Sequence, residues 1–102
     1  MCTATITIGR NVADTPMSDS DWQSFIDDTR HVLDGADIWT DAEYTGGWEG
    51  QTENAHVLVA GIPEGDHTDI RSRLAKLADT YRQDAIGLAI GPAELVTPWI
   101  RA

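Results

Sequence analysis

The chain is predicted to fold as a ferredoxin-like βαββαβ sandwich of the α+β class, a four-stranded antiparallel sheet with two helices on one face. Three observations predict it. Ser18-Asp19-Ser20-Asp21 and Asp66-His67-Thr68-Asp69 both carry a helix-start signature, a capping residue with a carboxylate three positions on. Apolar residues at helical spacing follow each start. Strand-like runs surround both helices, in the order strand, helix, strand, strand, helix, strand.

Thr3 to Val12 reads as the first strand, because Ala4, Ile6 and Ile8 alternate with threonines and β-branched residues dominate. Asn11 to Pro16 reads as its exit loop. Met17 can staple onto Trp22 across the Ser18 cap. Trp22, Phe25, Ile26, Thr29, Val32 and Leu33 then fall on one helical face, and Asp34-Gly35 stops the helix. Ala36 to Tyr44 alternates with period two and gives the second strand. Thr45-Gly46-Gly47 turns, and Trp48 to Thr52 is read equally as hairpin extension or loop. Glu53 to Gly61 is the third strand. Ile70, Leu74, Leu77, Ala78 and Tyr81 mark the buried face of the second helix, and Ala85 to Ile90 the last strand, closed by Gly91-Pro92. On this reading the helix side of the sheet holds Ile6, Ile8, Ile38, Val57, Val59, Ile86, Leu88 and Ile90. The open side shows Thr5, Thr7, Trp39, His56, Leu58, Gly87 and Ala89.

At 102 residues with 41% hydrophobic content, the chain is expected to be a single domain over residues 1–102 with one two-layer core. The tail, residues 93–102, is too apolar at Leu95, Val96, Trp99 and Ile100 to dangle in water, so it is expected to pack on the sheet or a partner. Cys2 is the single cysteine, which excludes an intrachain disulfide and a thiolate cluster. The opening residues lack the features of a signal peptide, and no apolar run reaches a membrane span, so a cytoplasmic protein is expected.

Charge is the unusual property. Seventeen acids against seven bases leave −10. The first 51 residues hold ten acids and two bases, net −8; the remainder hold seven and five, net −2. Such a field opposes nucleic acid and anionic lipid, and it suits solubility or a protein partner with a basic surface.

The densest candidate site is Gly46 to Asn54. Its glycines let a ligand approach the backbone, Trp48 offers a stacking surface, and Glu49, Glu53 and Asn54 offer polar groups. An ordinary glycine-rich hairpin tip has the same composition. Gln83 lies between the second helix and the last strand, where site groups collect and plain turns do too. His56 is expected on the open sheet face beside Trp39. It is the one residue in reach of a general-base role there, although a structural histidine is commoner. The three histidines share no metal-ligand spacing, so neither metal nor cofactor is expected. The acids Asp27 and Asp28 read as helix surface, with no cleft between carboxylates of the kind glycosidases use.

Gly47-Trp48-Glu49-Gly50-Gln51-Thr52-Glu53, Tyr81-Arg82-Gln83-Asp84-Ala85-Ile86 and Ser20-Asp21-Trp22-Gln23-Ser24-Phe25 together resemble a pattern in small bacterial and phage proteins. In those a helix with a Trp-x-x-Phe step precedes a Gly-x-Trp-x-Gly hairpin and a late Tyr-x-x-x-Gln-like helix exit; here Tyr81 and Gln83 are only two apart, a departure from that spacing. The resemblance implies this fold and a phage-like origin, and transfers no activity. Size and element order are also similar to the dimeric α+β-barrel proteins, which include cofactor-free monooxygenases; that likeness is one of fold.

The absence of a catalytic constellation, the acidic face and the open sheet together suggest a non-enzymatic binding or regulatory protein. A phage accessory protein that engages or inhibits a host factor is one concrete form. The alternatives are a small enzyme, or a small-ligand sequestering protein, that uses the open sheet face. A homodimer through that face is expected, because the face is otherwise left to water.

Overall fold

Residues 2–48 and 50–92 are described by the computed structural model of the chain. The side chain of Trp48, all of Glu49 and the tail 93–102 lie outside the described residues, so the expectations placed on them are neither met nor contradicted.

The elements run β1 (Cys2–Gly9), β2 (Asn11–Val12), β3 (Thr15–Pro16), α1 (Asp19–Val32), β4 (Asp37–Trp48), β5 (Gln51–Ile62), α2 (His67–Thr80) and β6 (Gly87–Pro92). Four strands form one antiparallel sheet in the order β4-β5-β1-β6. The short strands β2 and β3 pair separately, in the stretch read from sequence as an exit loop. Arg10 ties this small hairpin to α1. Its Nε donates to the Met17 carbonyl at 2.8 Å, and its Nη2 meets Asp19 Oδ1 at 2.7 Å.

The Ser18 hydroxyl accepts from the Asp21 N–H at 3.2 Å and caps α1. The second cap departs from expectation. Asp66 has helical dihedrals (φ −77°, ψ −10°), and its side chain makes no capping bond to α2. A residue already wound into the helix cannot swing its carboxylate back to the first N–H groups.

Directly paired residues share a face, so the register sorts the sheet into rows. The core rows are Ile38–Ala60–Ala4–Ile90 and Asp41–Leu58–Ile6–Leu88, with His56 beside Ile8 in the next. The open rows are Asp37–Gly61–Thr3–Gly91, Thr40–Val59–Thr5–Ala89, Ala42–Val57–Thr7–Gly87 and Tyr44–Ala55–Gly9. One cluster joins Ile6, Ile8 and Leu58 to Phe25 and Ile26 of α1 and to Ile70 and Leu74 of α2. Both helices therefore cover the same side. At the helix–helix seam Phe25 stacks on Tyr81, ring centroids 4.5 Å apart.

The faces of β5 are the reverse of those expected. His56 (4% exposed) and Leu58 (1%) are in the core, while Val57 and Val59 are on the open side. Residues 55–62 are apolar at nearly every position, so alternation alone does not choose a face. In β4 the register shifts between Ile38 and Thr40, leaving Trp39 as the bulged residue, 47% exposed. The bulge reverses the phase of the strand, so Ile38 and Asp41 both face the helices.

Candidate functional site

The outer end of the open face holds a cavity of about 360 Å³, where the end of β1, the β4–β5 hairpin and the exit of α2 meet. Its floor depends on missing side chains. A Cβ on Gly9 would lie 2.3 Å from Glu53 Oε1, and one on Gly87 would lie 2.1 Å from Thr7 Oγ1. A Cβ on Gly46 would press at 3.1 Å on the Tyr44 ring. Glycine at these places lets Glu53, Thr7 and Tyr44 lie flat along the sheet instead of standing off it.

Glu53 is the carboxylate fixed in this cavity. Its Oε2 accepts the Asn11 N–H at 2.9 Å, and among the described residues it makes no ion pair. Asn11 is held from the other side by Gln83, whose Nε2 donates to the Asn11 carbonyl at 3.1 Å. Two sequence-predicted residues thus converge on the backbone of one residue, Asn11, from hairpin and helix exit.

Arg82 and Asp84 bring the other charges to the wall. Arg82 owes its position to the end of α2. The Gln83 N–H reaches back to the Ala78 carbonyl at 2.8 Å, and the Arg82 N–H to the Asp79 carbonyl at 3.2 Å. This is a Schellman ending, which wants glycine in the left-handed position. Arg82 occupies it at φ +53°. Ala13 at φ +54° is the other left-handed non-glycine residue among those described, and it also lines the cavity. Left-handed backbone costs an L-residue about 1 kcal/mol, and such strain collects at functional sites.

The remaining sequence candidates stand elsewhere. Asn54 points off the opposite side of the hairpin, beside Thr45. Trp39 is on the bulge and does not line the cavity. His56 is not on the open face; it is buried under α1 in an ionic network. Its Nε2 hydrogen-bonds with Asp41 Oδ1, and its Nδ1 has no partner among the described residues. Arg30 clasps the same carboxylate through Nε at 2.6 Å and Nη2 at 3.0 Å, and Asp27 through Nη1 at 2.8 Å. That clasp, more than the histidine, holds the Asp41 carboxyl below its ordinary range despite partial burial, and raises Arg30 further. An open-face base at position 56 is therefore excluded by the geometry. Asp28 is likewise committed within the chain, accepting the Tyr81 hydroxyl at 2.5 Å. Burial, with this carboxylate adding to it, pushes the Tyr81 phenol up to about 12.

Sequence reasoning missed Tyr44, Gly9, Asn11 and Arg82 as cavity residues. The signal present was the non-glycine residue between Tyr81 and Gln83, where a helix ends. Among the described residues no group of His, Cys, Asp and Glu is arranged to hold a metal ion. No helix there is long and apolar enough to cross a membrane.

No protein-family model matches the chain, and no curated protein matches it. Solved structures share its fold. A phage SAM lyase in its apo state superposes with a TM-score of 0.61 over 98% of this chain and 92% of its own, at 18% identity. A DUF3240 family protein from Shewanella baltica OS155 superposes with a TM-score of 0.53 over 97% of each chain, at 12% identity. The chain is thus an α+β protein whose two-helix, four-stranded architecture is shared, at this distance, with a phage protein.

Proposed function

We propose that this ferredoxin-like protein binds a small cationic metabolite of the sulfonium class in the cavity at the end of its open face, with S-adenosylmethionine (SAM) as the first candidate. The observation that carries the reading is the Glu53 carboxylate, held over Gly9 without a cationic partner among the described residues. A fixed, uncompensated carboxylate favours a cationic ligand. The Tyr44 ring offers the adenine a flat surface, and Arg82 offers the ligand's carboxylate a counter-ion. The volume suits one small metabolite. The shared fold of the phage SAM lyase supports the choice of ligand class.

The site serves either sequestration or cleavage. Cleavage without water needs only the ligand's own carboxylate. Its oxygen attacks Cγ, and the Cγ–S electron pair leaves with sulfur. The products are homoserine lactone and the neutral thioether 5′-methylthioadenosine, and no other reactant is consumed.

Calorimetric titration with SAM and with S-adenosylhomocysteine, whose sulfur is neutral, tests the reading. A preference for the sulfonium of about tenfold or more, lost in Glu53→Gln, is expected. Equal affinity for both, or heat from neither, overturns it. Mass spectrometry of the incubated mixture then separates the two roles: intact ligand marks a sequestering protein, and the thioether with the lactone marks a lyase.

A further inference from the structure

We infer that a second copy of this chain covers the open sheet face and closes the cavity, so that the ligand site is complete only in the assembly. The closure rests on the ligand reading above; the self-association does not.

The open face is the neutral surface of a strongly acidic molecule. From Asp37 at one end to Glu53 at the other, the rows built on Thr40, Ala42 and Tyr44 contain only threonine, valine, alanine, glycine and one tyrosine. The helices on the opposite side carry exposed acids and bases such as Asp27, Asp28, Arg71 and Lys76. A partner with a basic surface would take that side. Nucleic acid and anionic lipid are repelled by the −10 charge. The occupant that suits a neutral face of small β-branched residues is another such face. Meeting sheet to sheet also leaves both acidic surfaces pointing outward, where water and salt screen them.

The area is sufficient. Four strands about 4.8 Å apart, rising about 3.3 Å per residue over roughly eight residues, present on the order of 500 Å² per copy. A facing pair then hides about 1,000 Å², the lower bound of a specific interface. Val57 and Val59, half-exposed at the centre of the face, provide its apolar part.

The cavity lies on the same face and, among the described residues, is walled from one side only. Thr7, Gly9, Ala55 and Gly87 form its floor, and Tyr44 and Glu53 lie along it. Small-molecule sites enclose most of their ligand's surface. A ligand laid on this floor would keep its outer side in water until a second sheet is placed over it.

Sedimentation velocity at tens of micromolar, without ligand, reads the interface alone. A mass at least twice 11.1 kDa is expected; a mass of one chain, with SAM absent and present, overturns the inference and leaves the ligand reading standing or falling by its own titration. Val57→Arg, which places a charge at the centre of the face on a half-exposed position, is expected to give single chains. It is also expected to lower SAM affinity by about tenfold or more, with an unchanged circular dichroism spectrum. Ala42→Glu, on the exposed end of the same row, is the second variant should Val57→Arg not fold. Lys76→Glu, on the helix side, should change neither mass nor affinity. Assembly that survives both face variants overturns the interface. Single chains that bind SAM as tightly as the wild type overturn the closure.

Discussion

The Glu53 carboxylate occupies the space that a side chain on Gly9 would fill. Two residues of adjacent strands, 44 positions apart, are thereby made interdependent. Gly9→Ala should displace Glu53 and break its bond to the Asn11 N–H. The expected cost is about 1–3 kcal/mol, the range for overpacking, read as a lower denaturation midpoint together with loss of SAM binding. Glu53→Gln keeps an oxygen for Asn11, so its stability should stay near that of the wild type while binding falls. Equal stability losses in the two variants would show that Glu53 serves the fold and not a ligand.

Arg82 separates stability from function in the opposite direction. Glycine is at ease in the left-handed position that ends α2, so Arg82→Gly should stabilise the protein by about 1 kcal/mol. Thermal denaturation should show a higher midpoint. SAM affinity should fall, because the counter-ion for the ligand's carboxylate is gone. A midpoint at or below that of the wild type would mean that the guanidinium contributes more to the fold than its backbone costs.

Acid should act through Asp41. Its carboxyl is held below the ordinary 3.8 by Arg30 first and His56 second. A depressed folded-state pKa stabilises the protein above the unfolded value, and this contribution is lost as pH falls through the folded one. Urea midpoints followed from about pH 6 down to about pH 3 should therefore decline more steeply for the wild type than for Asp41→Asn. Asp41→Asn itself should be less stable at neutral pH, since it weakens the partner of a buried histidine and a clasped arginine. Parallel declines would exclude this carboxylate as a source of the acid sensitivity.

Alkali should act through Tyr81. Its phenol is raised to about 12, so the folded chain holds that proton when the unfolded chain has released it. The contribution is complete below the ordinary 10.0 and disappears as pH rises through about 12. Tyr81→Phe keeps the stack on Phe25 and lacks the alkaline loss. At neutral pH it should cost about 1 kcal/mol for the hydroxyl bond to Asp28. Tyrosinate absorbance in the folded wild type should show a late-titrating component that is absent from Tyr81→Phe.

The element order was legible because each helix and strand announces itself locally. Ser18 caps, Trp22 to Leu33 keep helical spacing, and Thr3 to Ile8 alternate. The strand β5 was not legible in its facing. Ala55, Val57 and Val59 compete with Leu58, Ala60 and Ile62 for the core, and only the long-range clasp of Arg30 on Asp41 makes a buried His56 tolerable. The cavity was half legible. Glu53 and Gln83 stood out as polar groups near glycines, but their shared partner is the backbone of Asn11, and a backbone partner leaves no mark on the residue type. Trp39 drew notice as an aromatic residue on a strand, and its exposure follows from a bulge that no local pattern encodes.

That bulge gives the second hairpin one spare residue. Ile38 pairs with Ala60 and Thr40 with Val59, and Ala60 and Val59 are neighbours on β5. Removing the codon for Trp39 would therefore leave a regular ladder, with Ile38 and Asp41 still facing the helices and Thr40 and Ala42 still on the open side. Straightening the strand with Trp39 kept would instead force a single phase. Either Ile38 turns out of the core, or Asp41 and Glu43 turn onto the side that now carries Thr40 and Ala42. The second outcome would write two acids across the neutral face and turn a surface suited to meeting its own copy into one that repels it. The kink at Trp39 is thus what lets one strand carry two incompatible phases and still keep its acids off that face.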